Sequence, residues 1–307
     1  MSPPIEAATR IKFWGVRGSI PTPGPGTVRY GGNTTCVELR ADGEIVILDA
    51  GSGIRLLGQA LRKEFGDQPL NLTLLISHSH WDHIQGLPFF LPAYSSKNRI
   101  RVFGYDGTRS RLRECLTGQM QSAFFPVSMA ELPGEIDIEE LTEPEFHIGQ
   151  LRVCSKFLNH PGQCVGYRIF TSAGSVAFLP DNEPFEQLDE QLRVRGIANN
   201  EHNWKAPAVE RAELVEFLRE TDLVIMDAQY GDEEYPSHIG WGHGSISSAV
   251  SLAAEARVKR LVLFHHDPNH DDAMIERLEE QARRQLGKLG KSIEVRAARE
   301  GDEIILS

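Results

Sequence analysis

Short runs of apolar residues, separated by turn residues, recur along the whole chain and predict a large number of β-strands. The runs are rich in Val, Ile, Leu and Phe, the composition of strands buried within a sheet. The predicted strands are Ile11–Trp14, Cys36–Leu39, Ile45–Leu48, Leu72–Ile76, Ile100–Phe103, Leu151–Leu158, Val165–Phe170, Val176–Leu179, Leu223–Met226, Leu261–Phe264 and Ile304–Leu306.

Longer segments between these strands have apolar residues at helical spacing. They predict helices at Gly53–Phe65, Thr108–Gln119, Ala206–Arg219, Ile246–Ala256 and Asp271–Leu286. No repeat or linker divides the chain, so the pattern predicts one domain, residues 1–307, of two packed sheets with helices outside. The stretches 119–145 and 182–206 break the pattern, and are either lids or specificity loops, or plain surface decoration.

Composition narrows the class of protein. The 307 residues include 43 Asp and Glu against 32 Lys and Arg, a formal net charge of −11, which argues against a long nucleic acid as partner. The start MSPPIEAATR lacks the basic and apolar regions of a secretory signal, and no apolar run is long enough to span a membrane. The four cysteines are widely separated, so we expect reduced thiols in a cytoplasmic protein.

The segment Ser77–His83, with sequence SHSHWDH, carries the strongest chemical signal. It follows the apolar run LTLLI directly, so its polar side chains are expected at one rim of a sheet. Imidazole nitrogen and carboxylate oxygen are ligands that zinc, manganese and iron prefer. The spacing HxHxDH suits two adjacent metal ions, whereas the alternative, a solvated polar loop, does not explain so dense a cluster of histidines.

This motif resembles the signature of the metallo-β-lactamase superfamily, and four further landmarks follow predicted strands in the family's order. They are Asp49, His160, Asp181 and His265. The resemblance covers nearly the whole chain. It implies an α+β fold, an αββα sandwich of two mixed β-sheets flanked by helices. It also implies a hydrolase with two divalent metal ions, zinc or manganese, with iron left open.

The resemblance also implies a role for each residue. Asp49 supports the ligand loop, and His265 is favoured over its neighbour His266, which would face the opposite side or support a ligand. The implied metal ligands are His78, His80 and His160 for the first ion, Asp82, His83 and His265 for the second, and Asp181 between them. The implied catalytic residues are His243, Asp227 and Asp82.

Three segments resemble the branch of the superfamily that contains RNase Z and cyclic phosphodiesterases. They are the opening FWGVRGSIPTPG with GGNTTCVEL, the segment FFPVSMAEL, and GWGHGSISSAV, which is similar to the branch's GHS/T motif. The resemblance implies that a metal-bridging hydroxide attacks phosphorus in a phosphodiester.

The position of His243 in the last of these segments suggests a chemical role. Ser245 is a plausible N-cap for the helix at 246–256, so a helix N-terminus that favours a phosphoryl anion would begin beside His243. His243 could contact a non-bridging oxygen or protonate the leaving alkoxide, with Asp227 holding its tautomer. The alternative is a capping or turn histidine.

The substrate is expected to be small. RNase Z typically carries a long Gly-, Pro- and base-rich arm, whereas 182–206 contains only Arg193, Arg195 and Lys205 as strong bases. The small substrates that fit are a cyclic nucleotide, a cyclic ribosyl phosphate and a short oligonucleotide. We favour a cyclic-nucleotide-like phosphodiester, with no membrane partner and a homodimer left open. Arg17 and Asn33 could touch substrate, although Arg17 could equally be a salt-bridge partner. The alternatives are a lactone or thioester hydrolase, or an RNase Z-like RNA 3′-processing endonuclease.

Overall fold

The computed structural model describes residues 8–105, 111–187 and 205–307, without the side chain of Arg111. In these residues, fourteen strands form two seven-stranded sheets. The strands are β1 (Thr9–Gly15), β2 (Cys36–Ala41), β3 (Glu44–Leu48), β4 (Asn71–Leu75), β5 (Arg99–Gly104), β6 (Glu135–Glu140), β7 (Glu145–Ile148), β8 (Leu151–Leu158), β9 (Cys164–Thr171), β10 (Gly174–Leu179), β11 (Leu223–Asp227), β12 (Arg260–Phe264), β13 (Glu294–Ala297) and β14 (Glu303–Leu306).

Six α-helices accompany them within the described part of the chain. They are α1 (Ile54–Phe65), α2 (Trp81–Ile84), α3 (Arg111–Gly118), α4 (Pro207–Leu218), α5 (Ile246–Ala256) and α6 (Asp272–Lys288). The chain divides into two compact units. The first contains the residues up to Val153, Phe170–Gly174 and Arg299–Ser307, and the second contains Cys154–Ile169 and Ser175–Ala298.

The first unit contains the sheet with strand order β14-β1-β2-β3-β4-β5-β6. Strands β14, β1, β2 and β3 pair antiparallel, whereas β3, β4, β5 and β6 pair parallel, so this sheet is mixed. Helix α1 connects β3 to β4 and buries Ile54, Leu57 and Leu61 in the same apolar core as Leu74. Because β3 and β4 are parallel, both end at the same edge of the sheet.

The second sheet has the order β13-β12-β11-β10-β9-β8-β7. Strands β10, β11, β12 and β13 are parallel, as the connections through α4, α5 and α6 require. Apolar side chains of α4, α5 and α6, such as Leu214, Val250 and Leu278, share a core with Val224 and Leu263 of the sheet. The chain segments that follow β10, β11 and β12 therefore meet at one edge of this sheet.

The predicted α+β class with two mixed, helix-flanked sheets is confirmed. Three strands went unpredicted, namely β6, β7 and β13, and β6 lies in the stretch 119–145 that breaks the apolar pattern. Its sequence EIDIEE alternates apolar with acidic residues at the edge of the first sheet, and charged edge strands resist pairing with other chains.

The structure bears on the predictions for the irregular segment, the cysteines and membrane spans to different extents. Residues 188–204 lie outside the described residues, and with them most of the proposed insertion at 182–206. Cys36 and Cys164 are buried, Cys115 and Cys154 are half-buried, and all four are free thiols. Burial raises the pKa of the Cys36 thiol well above its usual value. Among the described helices, none is long and apolar enough to cross a membrane.

Candidate active site

In the first unit, Asp49 and the segment after β4 form a compact hydrogen-bonded cluster. The Asp49 carboxylate accepts the backbone N–H of Ser77 at 2.7 Å and its hydroxyl at 2.9 Å. The same carboxylate accepts Nδ1 of His83 at 2.8 Å. Burial raises the pKa of Asp49, and His83 opposes that rise. Asp49 thus fixes both the loop and one imidazole, as the family pattern implies.

Four side chains of the motif lie together above this support. His78, Asp82 and His83 are buried, whereas His80 is exposed. The ring of His78 lies 4.5 Å from that of His80 and 4.2 Å from that of His83, measured between centroids. Helix α2 brings Oδ2 of Asp82 to 3.1 Å from Nε2 of His83. The backbone N–H of Ser19 donates to the same Asp82 oxygen at 2.7 Å.

In the second unit, three histidines surround the carboxylate of Asp181, which follows β10. Its Oδ1 lies 3.2 Å from Nε2 of His265, and its Oδ2 lies 3.6 Å from Nε2 of His160. Nδ1 of His243 lies 3.9 Å from the same Oδ2. Nitrogen and oxygen atoms of Asp181, His243 and His265 lie close enough together to surround a metal ion.

Hydrogen bonds to Nδ1 set the tautomers of His83, His160 and His265. Nδ1 of His160 donates to the carbonyl oxygen of Gly242 at 2.8 Å, because a carbonyl can only accept. Nδ1 of His265 pairs with Oε1 of Gln229 at 2.9 Å, and that of His83 with Asp49. In each ring Nε2 is then the basic nitrogen, which is the arrangement in which an imidazole binds a metal.

The structure identifies two supporting residues that the sequence pattern did not single out. One is Gln229, which also donates to Asp267 at 3.1 Å and is thereby oriented toward His265. The other is Glu183, whose fully buried carboxylate accepts the backbone N–H groups of Gly240 at 2.7 Å and Gly242 at 2.8 Å. Glu183 lies two positions after Asp181, and an acidic residue there gives no local signal of such a role.

Gly242 is required by geometry. Its φ of +94° lies in the left-handed region, and a Cβ built there would lie 2.4 Å from Nδ1 of His160. Only glycine therefore lets the backbone approach close enough for its carbonyl to hold the imidazole.

His243 and Asp227 form a buried pair. Nδ1 of His243 lies 3.0 Å from Oδ2 of Asp227, which also accepts the backbone N–H of Asn182 at 3.1 Å. Ser245 is the N-cap of α5, with its side chain accepting the N–H of Ser248. The predicted cap and the predicted pairing of His243 with an acidic partner are both present in the structure.

The remaining sequence candidates have defined positions. His266 is buried, and its Nε2 donates to the carbonyl of Ala298 at 2.9 Å. Arg17 is fully buried and donates from Nε to the carbonyl of Gly31 at 2.8 Å. Asn33 donates from Nδ2 to Glu300 at 2.9 Å. These bonds give Arg17 and Asn33 a structural role, and their contact with substrate stays a prediction.

Both sets of side chains fit divalent metal ions by their chemistry. Each combines imidazole nitrogens with carboxylate oxygens, and each contains at least one imidazole whose Nδ1 is held by an oxygen. Such outer hydrogen bonds orient ligands and increase their basicity.

Comparisons with known proteins agree with this chemistry. Residues 45–198, half of the chain, match the model of the beta-lactamase superfamily domain. Ribonuclease Z of Thermoplasma acidophilum is 24% identical, with 90% of this chain and 92% of that protein covered.

Two solved structures have a similar fold. The metallo-β-lactamase fold protein YhfI of Bacillus subtilis superposes with a TM-score of 0.64 at 16% identity, covering 98% of this chain and 100% of YhfI. A diphosphatase of the PhnP family superposes with a TM-score of 0.61 at 17% identity, covering 96% of this chain and 97% of the diphosphatase. The chain therefore belongs to the metallo-β-lactamase superfamily, as a metal-dependent hydrolase of the branch that resembles ribonuclease Z.

Proposed function

We propose that this protein is a phosphodiesterase that hydrolyses a small, cyclic-nucleotide-like phosphodiester with two divalent metal ions. The observation that carries the proposal is the buried pair of His243 and Asp227 next to the carboxylate of Asp181. Hydrolysis of a phosphodiester expels a poor alkoxide leaving group, which needs a proton, whereas thioester hydrolysis expels a less basic thiolate and depends far less on such a donor.

The family's order of ligands assigns a metal-binding role to side chains of both sets. The proposed ligands are His78, His80, Asp82 and His83 of the first unit, and His160, Asp181 and His265 of the second. Zinc and manganese both suit these ligands, and iron stays open. When bound, two such ions lower the pKa of water and neutralise negative charge on a phosphoryl group.

The protein's own residues have separate tasks in this proposal. Asp49, Gln229 and the carbonyl of Gly242 hold three imidazoles in the tautomer with a basic Nε2. Asp227 accepts Nδ1 of His243, so the proton that His243 delivers would leave from Nε2. The Asp227 carboxylate stabilises the protonated ring until that transfer occurs.

An RNase Z-like endonuclease is the second candidate, favoured by the similarity to ribonuclease Z over most of the chain. The acidic net charge of −11 and the few strong bases among residues 182–206 favour the smaller substrate.

A substrate panel on the metal-quantified protein tests the proposal. It contains bis-p-nitrophenyl phosphate, 2′,3′- and 3′,5′-cyclic nucleotides, a cyclic dinucleotide, a precursor tRNA, a lactone and a thioester. We expect metal-dependent cleavage of a cyclic phosphodiester, lost together with bound metal in Asp181→Ala. Asp67→Ala, which alters an exposed carboxylate outside both ligand sets, should retain metal and activity. Turnover of the lactone or thioester alone would overturn the proposal, and preference for precursor tRNA would establish the second candidate.

A further inference from the structure

Trp241 lies in a loop whose backbone is firmly held, yet its side chain remains exposed. The backbone N–H groups of Gly240 and Gly242 donate to Glu183, and that of Trp241 donates to the carbonyl of His238 at 3.0 Å. Despite this, 59% of Trp241 is exposed. A large indole held in water by a fixed backbone leaves apolar surface that a ligand can cover.

Successive ring contacts connect the indole of Trp241 to the proposed catalytic histidine, His243. The ring of Trp241 lies 4.9 Å from that of His238, edge to face. His238 stacks on Tyr230, with centroids 4.2 Å apart and an interplanar angle of 18°. Tyr230 lies 6.2 Å from the ring of His243. We call Trp241, His238 and Tyr230 the aromatic row.

The middle of the aromatic row is fixed by hydrogen bonds. Nδ1 of His238 donates to the carbonyl of Glu234 at 2.8 Å, and Gln229 donates to the Tyr230 hydroxyl at 3.1 Å. Tyr230 is buried and His238 is half-buried, so these two rings support the indole. The outer ring, Trp241, is therefore preorganised to receive another flat ring at little further loss of side-chain entropy.

We infer that Trp241 forms a subsite that stacks the nucleobase of the substrate while His243 acts at the phosphodiester. This inference rests on the proposed function and adds to it the class of substrate, a base-bearing phosphodiester. Every nucleobase presents a flat π-face, so stacking on an indole selects for a base without selecting which base. Gly242 alone lies between Trp241 and His243 in the sequence, which keeps the subsite beside the reacting group.

Kinetics with two cyclic substrates test the subsite. One is 2′,3′-cyclic AMP, and the other is glycerol 1,2-cyclic phosphate, which has the same kind of phosphodiester ring without a base. Trp241→Ala should lower kcat/KM for the first about tenfold, mainly through KM, and change the second less than about twofold. Trp241→Phe should recover most of the loss, and Phe157→Ala, which removes another exposed aromatic ring, should have no effect. Equal effects of Trp241→Ala on both substrates would overturn the inference.

A binding measurement separates this inference from the proposed function. Titration calorimetry of the metal-loaded protein would compare 5′-AMP with ribose 5-phosphate, which carries a hydroxyl group in place of the base. We expect tighter binding of 5′-AMP, and loss of that preference in Trp241→Ala. If no phosphodiester is cleaved but this preference is found, the proposed function fails and the subsite stands. If phosphodiesters are cleaved but Trp241→Ala keeps the preference, the subsite fails and the proposed function stands.

Discussion

Glu183 accepts the backbone N–H of Gly242 at 2.8 Å, and the carbonyl of that same glycine accepts Nδ1 of His160 at 2.8 Å. A fully buried carboxylate therefore controls the orientation of a proposed metal ligand through one peptide segment. His243 is the next residue, so the same segment also delivers the proposed proton donor. We assign Glu183 a positioning role, because its carboxylate accepts backbone N–H groups and the hydroxyl of Tyr235.

We expect Glu183→Ala to weaken both metal binding and stability. The buried N–H groups of Gly240 and Gly242 would lose their acceptor, which costs about 1–3 kcal/mol for each unsatisfied group. Loss of such outer hydrogen bonds typically lowers metal affinity about 10–100-fold. Urea unfolding and zinc competition with a chelator measure the two effects.

Glu183→Gln is an informative companion variant. Its single carbonyl oxygen can accept from one glycine, but its amide would face the other donor, so an intermediate loss is expected. The matched control is Glu186→Gln, because Glu186 is exposed and pairs with Arg211, and such pairs contribute about 0–1 kcal/mol. Wild-type metal affinity and stability in Glu183→Ala would contradict the positioning role.

The effect of His243→Ala on the cleavage rate should depend on whether the leaving group of the substrate needs a proton. If His243 supplies a proton to the departing oxygen, its removal should slow cleavage of a cyclic nucleotide about 10²–10⁴-fold. Cleavage of bis-p-nitrophenyl phosphate should slow far less, because p-nitrophenolate departs without a proton. Metal content should remain that of the wild type, and His147→Ala, an exposed histidine of β7, serves as the control. Equal slowing of both substrates would argue against proton donation.

Gln229→Ala should lower metal affinity without removing a ligand. Gln229 holds Nδ1 of His265 at 2.9 Å and is itself fixed by Asp267. Without it the imidazole can rotate and change tautomer, so we expect a fall of about 10–100-fold in affinity. Chelator competition measures the change, with Gln68→Ala, on an exposed glutamine, as control. Unchanged affinity would show that the tautomer of His265 is set in another way.

The sequence located most of the strands because buried strands require continuous apolar runs. The runs at Leu151–Leu158 and Ile246–Ala256 have the predicted bounds as strand and helix, whereas β6, β7 and β13 were missed. Their sequences EIDIEE, EFHI and EVRA contain charged or polar residues, because edge positions in a sheet are partly exposed. An apolar-run criterion cannot detect such strands.

The candidate site likewise contains residues that the sequence indicated and residues that it did not. A dense local motif, SHSHWDH, and single residues at strand ends were sufficient to propose ligands, because they resemble the superfamily's motifs in type and order. Glu183 and Gln229 were not found from the sequence. Their roles depend on backbone groups and side chains 36 to 59 positions away, and no local pattern encodes such contacts.

By itself, the sequence determined the superfamily and its α+β class through the resemblance of its motifs. Local apolar periodicity located most of the strands and helices, and the residue types showed which side chains are available for metal chemistry. The tertiary structure decided which nitrogen of each imidazole is basic, that His266 points to Ala298, and that Trp241 heads a row of rings. Those features depend on hydrogen bonds and ring contacts between distant segments, which exist only once the chain has folded.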